Sequence, residues 1–347
     1  MPDAVQPSRP PVRFGVAHDF RRPDGVDYTL RDVYAQTIEQ LRLLDDLGLD
    51  QVWFSEHHFV EDGYLPDFVP VAGAAAAATK TMRISTAVSL MPFAHPIRLA
   101  ESMAVLDQLS GGRMELGVGL GYAPHEFRAF GIPVSRRVSL TEELVDILQL
   151  AWTGEPFSYD GKRYQFDDVR VTPAPVQVGG PPLWIASTSP MSVARAVRYG
   201  TNILPQGPRP VVLDAWLDAT RAAGKDPASF RVGIIRGILV TDDPDRDWPP
   251  IRQAERYRMR VYGRFAEEAA LGGRAMFEQE GRIPQRPIIG DPDHCVRELV
   301  GFIRDFGLTD VVTWGSAPGI APEAMTPMME RFAREVAPRV KAEIAAG

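Results

Sequence analysis

Residues 54–59 read F-S-E-H-H-F and hold two of the chain's six histidines. His57 and His58 stand side by side, with Glu56 before them and Phe54 and Phe59 on the flanks. Three chemistries use such a set: metal ligation, proton transfer, and plain hydrogen bonding in a polar loop. Metal fits worst. Adjacent histidines do not easily reach one ion, and the chain has no His-x-His, no HExxH and a single cysteine, Cys295. His18, His57, His58 and His95 could meet at an ion only if the fold gathered them, so no metal site is expected. Imidazole titrates at roughly 6.5, so a histidine here could pass a proton at neutral pH. Hydrogen bonding to neighbouring loops is the alternative for both histidines.

A second candidate is PLWIAS-TSP-MSVARAVRYG, residues 182–200: an apolar run, a Ser/Thr turn, then a helical pattern. Ser189 suits the N-cap and Pro190 the first helical position. A helix N-terminus with Ser187, Thr188 and Ser189 beside it can seat a phosphate, and ordinary capping is the alternative. The glycines of GVGLGY, 117–122, fail as a dinucleotide fingerprint because Tyr122 stands where the third glycine belongs. They would instead let a flat ligand approach the backbone, or allow close packing.

Eight β-rich runs must position these groups: 12–18, 50–55, 82–90, 113–119, 182–187, 201–205, 231–240 and 309–314. Helical patterns follow nearly all of them. Thr29 to Asp32 forms a capping box ahead of an apolar series that Gly48 stops; His95-Pro96 opens a helix closed by Gly111-Gly112, and Asp291-Pro292 opens one ended by Gly307. Such alternation over 347 residues predicts a single α/β domain, a (β/α)8 TIM barrel over 12–345, with a doubly wound open sheet as the rival. Residues 155–173, with the turn signal Asp160-Gly161, should form a hairpin excursion. Residues 263–287 suggest either a surface connection or a mobile lid. Residues 1–11 read as a disordered Pro-rich tail and not as a signal peptide. A barrel carries its site at the C-terminal strand ends, and the unusual residues do follow the apolar runs: His18-Asp19, Ser55 to His58, Ser89 and His95, Gly119 to Tyr122, Ser187 to Ser189, and Trp314.

Composition limits the partners. A net charge of −7 argues against nucleic acid. No apolar run approaches the roughly 20 residues of a membrane span, so no membrane association is expected. One cysteine, inside a helical pattern, suits a cytoplasmic protein.

Together these stretches resemble the bacterial luciferase-like family of flavin-dependent monooxygenases, the luciferase α-subunit above all. The likeness runs over nearly the whole chain. Its most specific pieces are VWFSEHHF, ATKTMRISTAV, AHPIR and LDQLSGGR; WTGEPFSYDGKRY and PPLWIAS are shared more widely. The resemblance implies a two-component oxidoreductase. A flavin reductase supplies reduced FMN, which forms a 4a-hydroperoxide with O2 and oxygenates a small, apolar substrate. It implies His57 as the catalytic residue and a flavin ring resting on a non-proline cis bond at Ala87-Val88, beside Thr86. It implies phosphate contacts at Ser187 and Thr188, in agreement with the anion seat read above that also includes Ser189, with Tyr122 and Glu126 also at the cofactor. Phe54, His58, Met91 and Trp314 would line the substrate pocket. The family habit implies a homodimer. Leu120 stands where luciferase has a phosphate-binding arginine. That leaves a deazaflavin-dependent dehydrogenase or reductase on the same fold as the alternative.

Overall fold

A computed structural model describes residues 9–271 and 286–346. In chain order the strands are β1 (Arg13–His18), β2 (Gln51–Phe54), β3 (Arg83–Thr86), β4 (Ser89–Leu90), β5 (Leu116–Gly119), β6 (Phe157–Asp160), β7 (Gln165–Val169), β8 (Leu183–Ser187), β9 (Asn202–Pro205), β10 (Gly233–Ile235), β11 (Ile238–Val240), β12 (Ile288–Gly290) and β13 (Asp310–Trp314). The helices are α1 (Leu30–Asp46), α2 (Phe68–Ala78), α3 (Pro96–Ser110), α4 (Pro124–Ala129), α5 (Arg137–Ala151), α6 (Pro190–Tyr199), α7 (Ala215–Ala222), α8 (Pro244–Glu268), α9 (Pro292–Phe306), α10 (Pro322–Arg331) and α11 (Ala337–Ala346).

The local signals act where the sequence places them. Thr29 and Asp32 exchange bonds in a capping box, at 2.8 and 3.1 Å. Asp291 caps α9 through the His294 N–H, and Gly307 ends that helix at φ 59°, a conformation open to glycine.

All pairings among the barrel strands are parallel. β10, β13, β1, β2 and β3 form one run, and β4, β5, β8 and β9 another. Bridges from Ile84 to Met114 and from Ile203 to Val232 join the two runs. β3 and β4 act as one stave broken at the Ala87-Val88 bond, which is cis. The ring therefore has eight staves and is a (β/α)8 barrel, as expected.

Side chains alternate along each stave. Ala17, Trp53, Trp184, Leu204 and Val312 turn inward, joined by Ala87, Val88, Ile235 and Trp314. Val52, Phe54 and Val311 turn outward to the helices. The barrel floor is ionic. Arg13 meets Glu115 at 2.8 Å and Asp310 at 2.6 Å, Arg231 meets Asp310 at 3.1 Å, and Arg83 closes on Glu115. Trp184 Nε1 donates to Glu115 at 2.6 Å.

The strand expectations change in two ways. The runs 82–90 and 231–240 are each two strands, and β11 leaves the barrel wall to pair with β12, a strand not expected from sequence. The hairpin forms as β6 and β7, with its turn N–H groups at Lys162, Arg163 and Tyr164 donating to the Glu143 carboxylate. Of the lid candidate, residues 263–268 are the last turns of α8, while 272–285 lie outside the described residues. Of the tail, residues 1–8 lie outside them too; Arg9 reaches the Leu308 carbonyl at 3.4 Å, and Arg231 reaches that of Pro11 at 3.2 Å. Among the described residues no helix is long and apolar enough to cross a membrane.

Candidate active site

β2 ends at Phe54, and the chain then turns across the barrel mouth through Ser55 to His58. Glu126, carried by the short α4 after β5, reaches this loop from the side. Its Oε1 lies 3.0 Å from His57 Nδ1 and accepts the His58 backbone N–H at 2.8 Å. Burial alone would raise the Glu126 carboxyl, but the bonds from His57 and His58 outweigh it and hold the group below its ordinary value. An ionised carboxylate only accepts. His57 must therefore keep its proton on Nδ1, which leaves Nε2 as its basic nitrogen. His58 is arranged the other way: its Nε2 lies 3.1 Å from Glu56 Oε1 and donates to it. The two adjacent histidines thus hold opposite tautomers.

His57 is 7% exposed and ringed by aromatics. Tyr64 and Tyr122 meet it edge-on at 5.0 and 5.8 Å; Tyr262 and Phe265, both from α8, lie at 5.9 and 5.1 Å. Ser55, Tyr64 and Tyr262 form a chain of hydroxyls. Burial, with Tyr262 and Glu126 nearby, pushes the Tyr122 phenol well up, so it stays protonated at neutral pH. α8 is held over the loop by the buried ion pair of Arg258 with Asp19 at 3.0 Å and by the Tyr257 hydroxyl, which donates to Asp62 at 2.9 Å.

Inside the mouth lies a small recess of about 40 Å³ lined by Trp53, Ala87, Leu204, Pro205, Gln206, Gly233, Ile234 and Ile235. Gly233 keeps its floor open, because a Cβ there would lie 2.6 Å from Trp53 and 2.9 Å from Trp184. The glycines of 117–122 serve close packing: a Cβ at Gly117 would lie 2.0 Å from the Thr86 carbonyl oxygen, and one at Gly119 2.4 Å from Val88. Ser187 pairs with Pro205 in the sheet and shares the outward side of β8 with Ile185; its hydroxyl is fully buried and has no hydrogen-bond partner among the described residues. Thr188 beside it is exposed. Ser189 is the N-cap of α6, with Pro190 next, but Ser192 Oγ takes the N–H groups of both Thr188 and Ser189 at 3.0 Å.

The expected residues thus divide. His57, His58, Tyr122 and Glu126 come together, Ala87 and Val88 lie at the barrel interior, and Ser187 to Ser189 stand between the end of β8 and the start of α6. Thr86 is a correction: its hydroxyl is spent on the Gly117 backbone, donating to the carbonyl and accepting the N–H, each at 3.0 Å. Phe54 and Met91 are corrections too. Both are fully buried in the layer between barrel and helices and do not line the mouth, Phe54 because its place in the strand alternation turns it outward. Trp314 does turn inward, though the Arg258 guanidinium covers one face of its ring at 3.8 Å. His18 is buried beside Gly315, and His95 sits exposed between Tyr164 and Phe166, so neither joins His57. Trp53, Trp184 and Gly233 were missed, although counting back by alternate positions from the strand ends would have found the tryptophans. Tyr64 lies further along the same loop, and Tyr262 and Phe265 come from the distant α8; none was singled out as a neighbour of His57.

Known proteins agree with this architecture. The family model described as luciferase-like monooxygenase matches residues 12–310. Protein y4vJ of Sinorhizobium fredii is 31% identical over 63% of this chain and 64% of its own length. The oxygenase component of a flavin-dependent trigonelline monooxygenase from Acinetobacter baylyi is 30% identical over 50% and 49%. The chain thus spans about half to two thirds of these relatives. A longer match, 29% identical over 87% of this chain and 85% of the other, is to 4-hydroxyprotoasukamycin monooxygenase of Streptomyces nodosus. Among solved structures, monooxygenase RslO1 from Streptomyces bottropensis superposes with a TM-score of 0.76 at 26% identity, covering 94% of this chain and 99% of that one. Two more share the fold: the FMN complex of 3,6-diketocamphane monooxygenase from Pseudomonas putida, with a TM-score of 0.73 at 21% identity, and an F420-dependent secondary alcohol dehydrogenase, at 0.72 and 19%. They cover 95% of this chain and 99% of each partner. With a family model matching most of its length and a barrel shared with these enzymes, the chain belongs to the luciferase-like monooxygenase family.

Proposed function

We propose that this protein is a flavin-dependent monooxygenase that uses reduced FMN and O2 to oxygenate a small, apolar organic substrate. What carries the proposal is the His57–Glu126 pair at the barrel mouth that also holds the apolar recess. The chain's residues fit FMN. Ala87, Trp53, Leu204, Gly233 and Ile235 offer an apolar surface on which one face of the ring would rest, and the orphaned Ser187 hydroxyl, with Thr188 and Ser189, offers a phosphate seat at the end of β8. Bound FMN would supply the redox and oxygen chemistry. The protein's part is to hold the ring, to exclude water with the aromatic cover from α8, and to give or take a proton at His57 Nε2. A reductase that supplies reduced FMN, a homodimeric state and a cytoplasmic location belong to the same proposal. The printed name of the trigonelline relative, an oxygenase component, supports the first.

Leu120, in place of the family's arginine, favours a second reading: a deazaflavin-dependent dehydrogenase or reductase that transfers hydride and ignores O2. Anaerobic titration with reduced FMN and with a reduced deazaflavin separates the two, followed by turnover of a panel of apolar substrates under 18O2. FMN binding and one 18O atom in the product are expected. Binding of the deazaflavin alone, or product free of 18O, overturns the oxygenase reading. His57→Ala should keep FMN affinity within about 3-fold while product per reduced flavin falls about 100-fold, the scale of a lost general acid–base. An unchanged yield removes His57 from the chemistry.

A further inference from the structure

Glu56 stands outside the roles assigned so far, yet it is 7% exposed and its carboxylate accepts three hydrogen bonds. Ser89 Oγ donates to Oε2 at 2.7 Å; the Leu90 N–H and His58 Nε2 reach Oε1 at 3.2 and 3.1 Å. Ser89 and Leu90 form β4, one residue beyond Val88 and two beyond Ala87 of the recess wall. His58 is the residue after His57. One buried side chain therefore ties the neighbours of the proton-handling histidine to the neighbours of the recess. Glu126 makes the complementary tie from α4, to His57 Nδ1 and the His58 N–H. The 56–58 loop has no strand or helix of its own; the His57 N–H donates to the Leu65 carbonyl at 3.1 Å, and these two carboxylates hold the side chains around it.

We propose that Glu56 is a positioning residue that fixes the spacing between His57 and the ligand held against Ala87. Without it, the Ser89 hydroxyl, the Leu90 N–H and the His58 ring N–H lose a shared acceptor in a buried place, and the loop and β4 move to find others. Displacements of about 1 Å at reacting groups cost on the order of 100-fold in rate. The proposal rests on the flavin reading, and reduced FMN, titrated without oxygen, is the probe that tests both.

The experiment compares wild type, Glu56→Ala, Glu56→Gln and Ser89→Ala. It measures FMN affinity by fluorescence titration, thermal midpoint, and His57 and His58 tautomers by 15N NMR. Glu56→Ala is expected to weaken FMN at least 10-fold and to release His58 from its Nε2–H tautomer. Glu56→Gln, which keeps the size and an acceptor oxygen, is expected to recover affinity to within about 3-fold of wild type. Ser89→Ala, a milder change that leaves the His58 contact in place, is expected to weaken FMN by about 3-fold or more without altering the His58 tautomer. Folded Glu56→Ala with wild-type affinity overturns the proposal, whatever its thermal midpoint, because a purely structural tie would lower the midpoint alone. If Glu56→Ala does not fold, unchanged affinity in Ser89→Ala overturns it. Wild type without FMN affinity overturns the flavin reading itself, a result visible before any variant is compared.

Discussion

At the scale of single residues, the finding with most consequence is that His57 and His58 differ although they are neighbours. Glu126 faces Nδ1 of the first and Glu56 faces Nε2 of the second. A base needs its lone pair pointed at its proton donor, so the side on which the carboxylate sits decides which nitrogen is available. In wild type the 15N spectrum of His57 should show one tautomer, protonated at Nδ1. Glu126→Gln can turn an amide N–H toward the ring, so a mixture of tautomers is expected, with roughly 10-fold lower product per reduced flavin. A wild-type His57 protonated at Nε2 would refute the assignment. The sequence already singled out His57 and Glu126, as family positions. It could not say that they touch, because 69 residues separate them and α4 has to fold back across the mouth.

At the scale of elements, legibility follows the range of the interaction. Helix starts and stops were readable because a capping box or a closing glycine acts over a few residues. The split of 82–90 into β3 and β4, and the departure of β11 to meet β12, were not, since each depends on partners far along the chain. The same contrast governs the glycines. Gly301, inside α9, has nothing within 4 Å of an added Cβ, so Gly301→Ala should stabilise by about 0.5–1 kcal/mol through helix propensity. Gly117 looks equally plain in sequence, but its added Cβ would lie 2.0 Å from a backbone carbonyl oxygen of β3, which cannot swing away. Gly117→Ala should cost on the order of 3 kcal/mol and loosen the stave that carries Ala87. Denaturant unfolding of the two variants checks both signs. A neutral Gly117→Ala would mean that β3 and β5 tolerate separation at the recess.

At the scale of the whole molecule, a barrel is only as firm as the seam where its first and last staves meet. Here that seam is polar. The two N–H donors of Gln40 Nε2 on α1 are shared among the carbonyls of Gly315 and Pro322, both at 3.1 Å, and Thr326 Oγ1 at 3.0 Å. His18, at the end of β1, is fully buried against the same Gly315. Burial holds its pKa down at about 4; Asp19 pulls the other way, and Arg258 adds to the lowering. A folded-state pKa below the unfolded value of roughly 6.5 means that the unfolded chain binds this proton first. The stabilisation from a neutral His18 is therefore complete above about pH 6.5 and is lost as pH falls toward 4, a span worth roughly 3 kcal/mol. Urea unfolding of wild type should show this decline between pH 6.5 and 4.5. In His18→Gln, which cannot take up the proton, the decline should flatten over the same interval while the carboxylate-driven loss at lower pH remains. An equal slope in both proteins would show that the seam tolerates a charged His18 and that acid opens the barrel elsewhere.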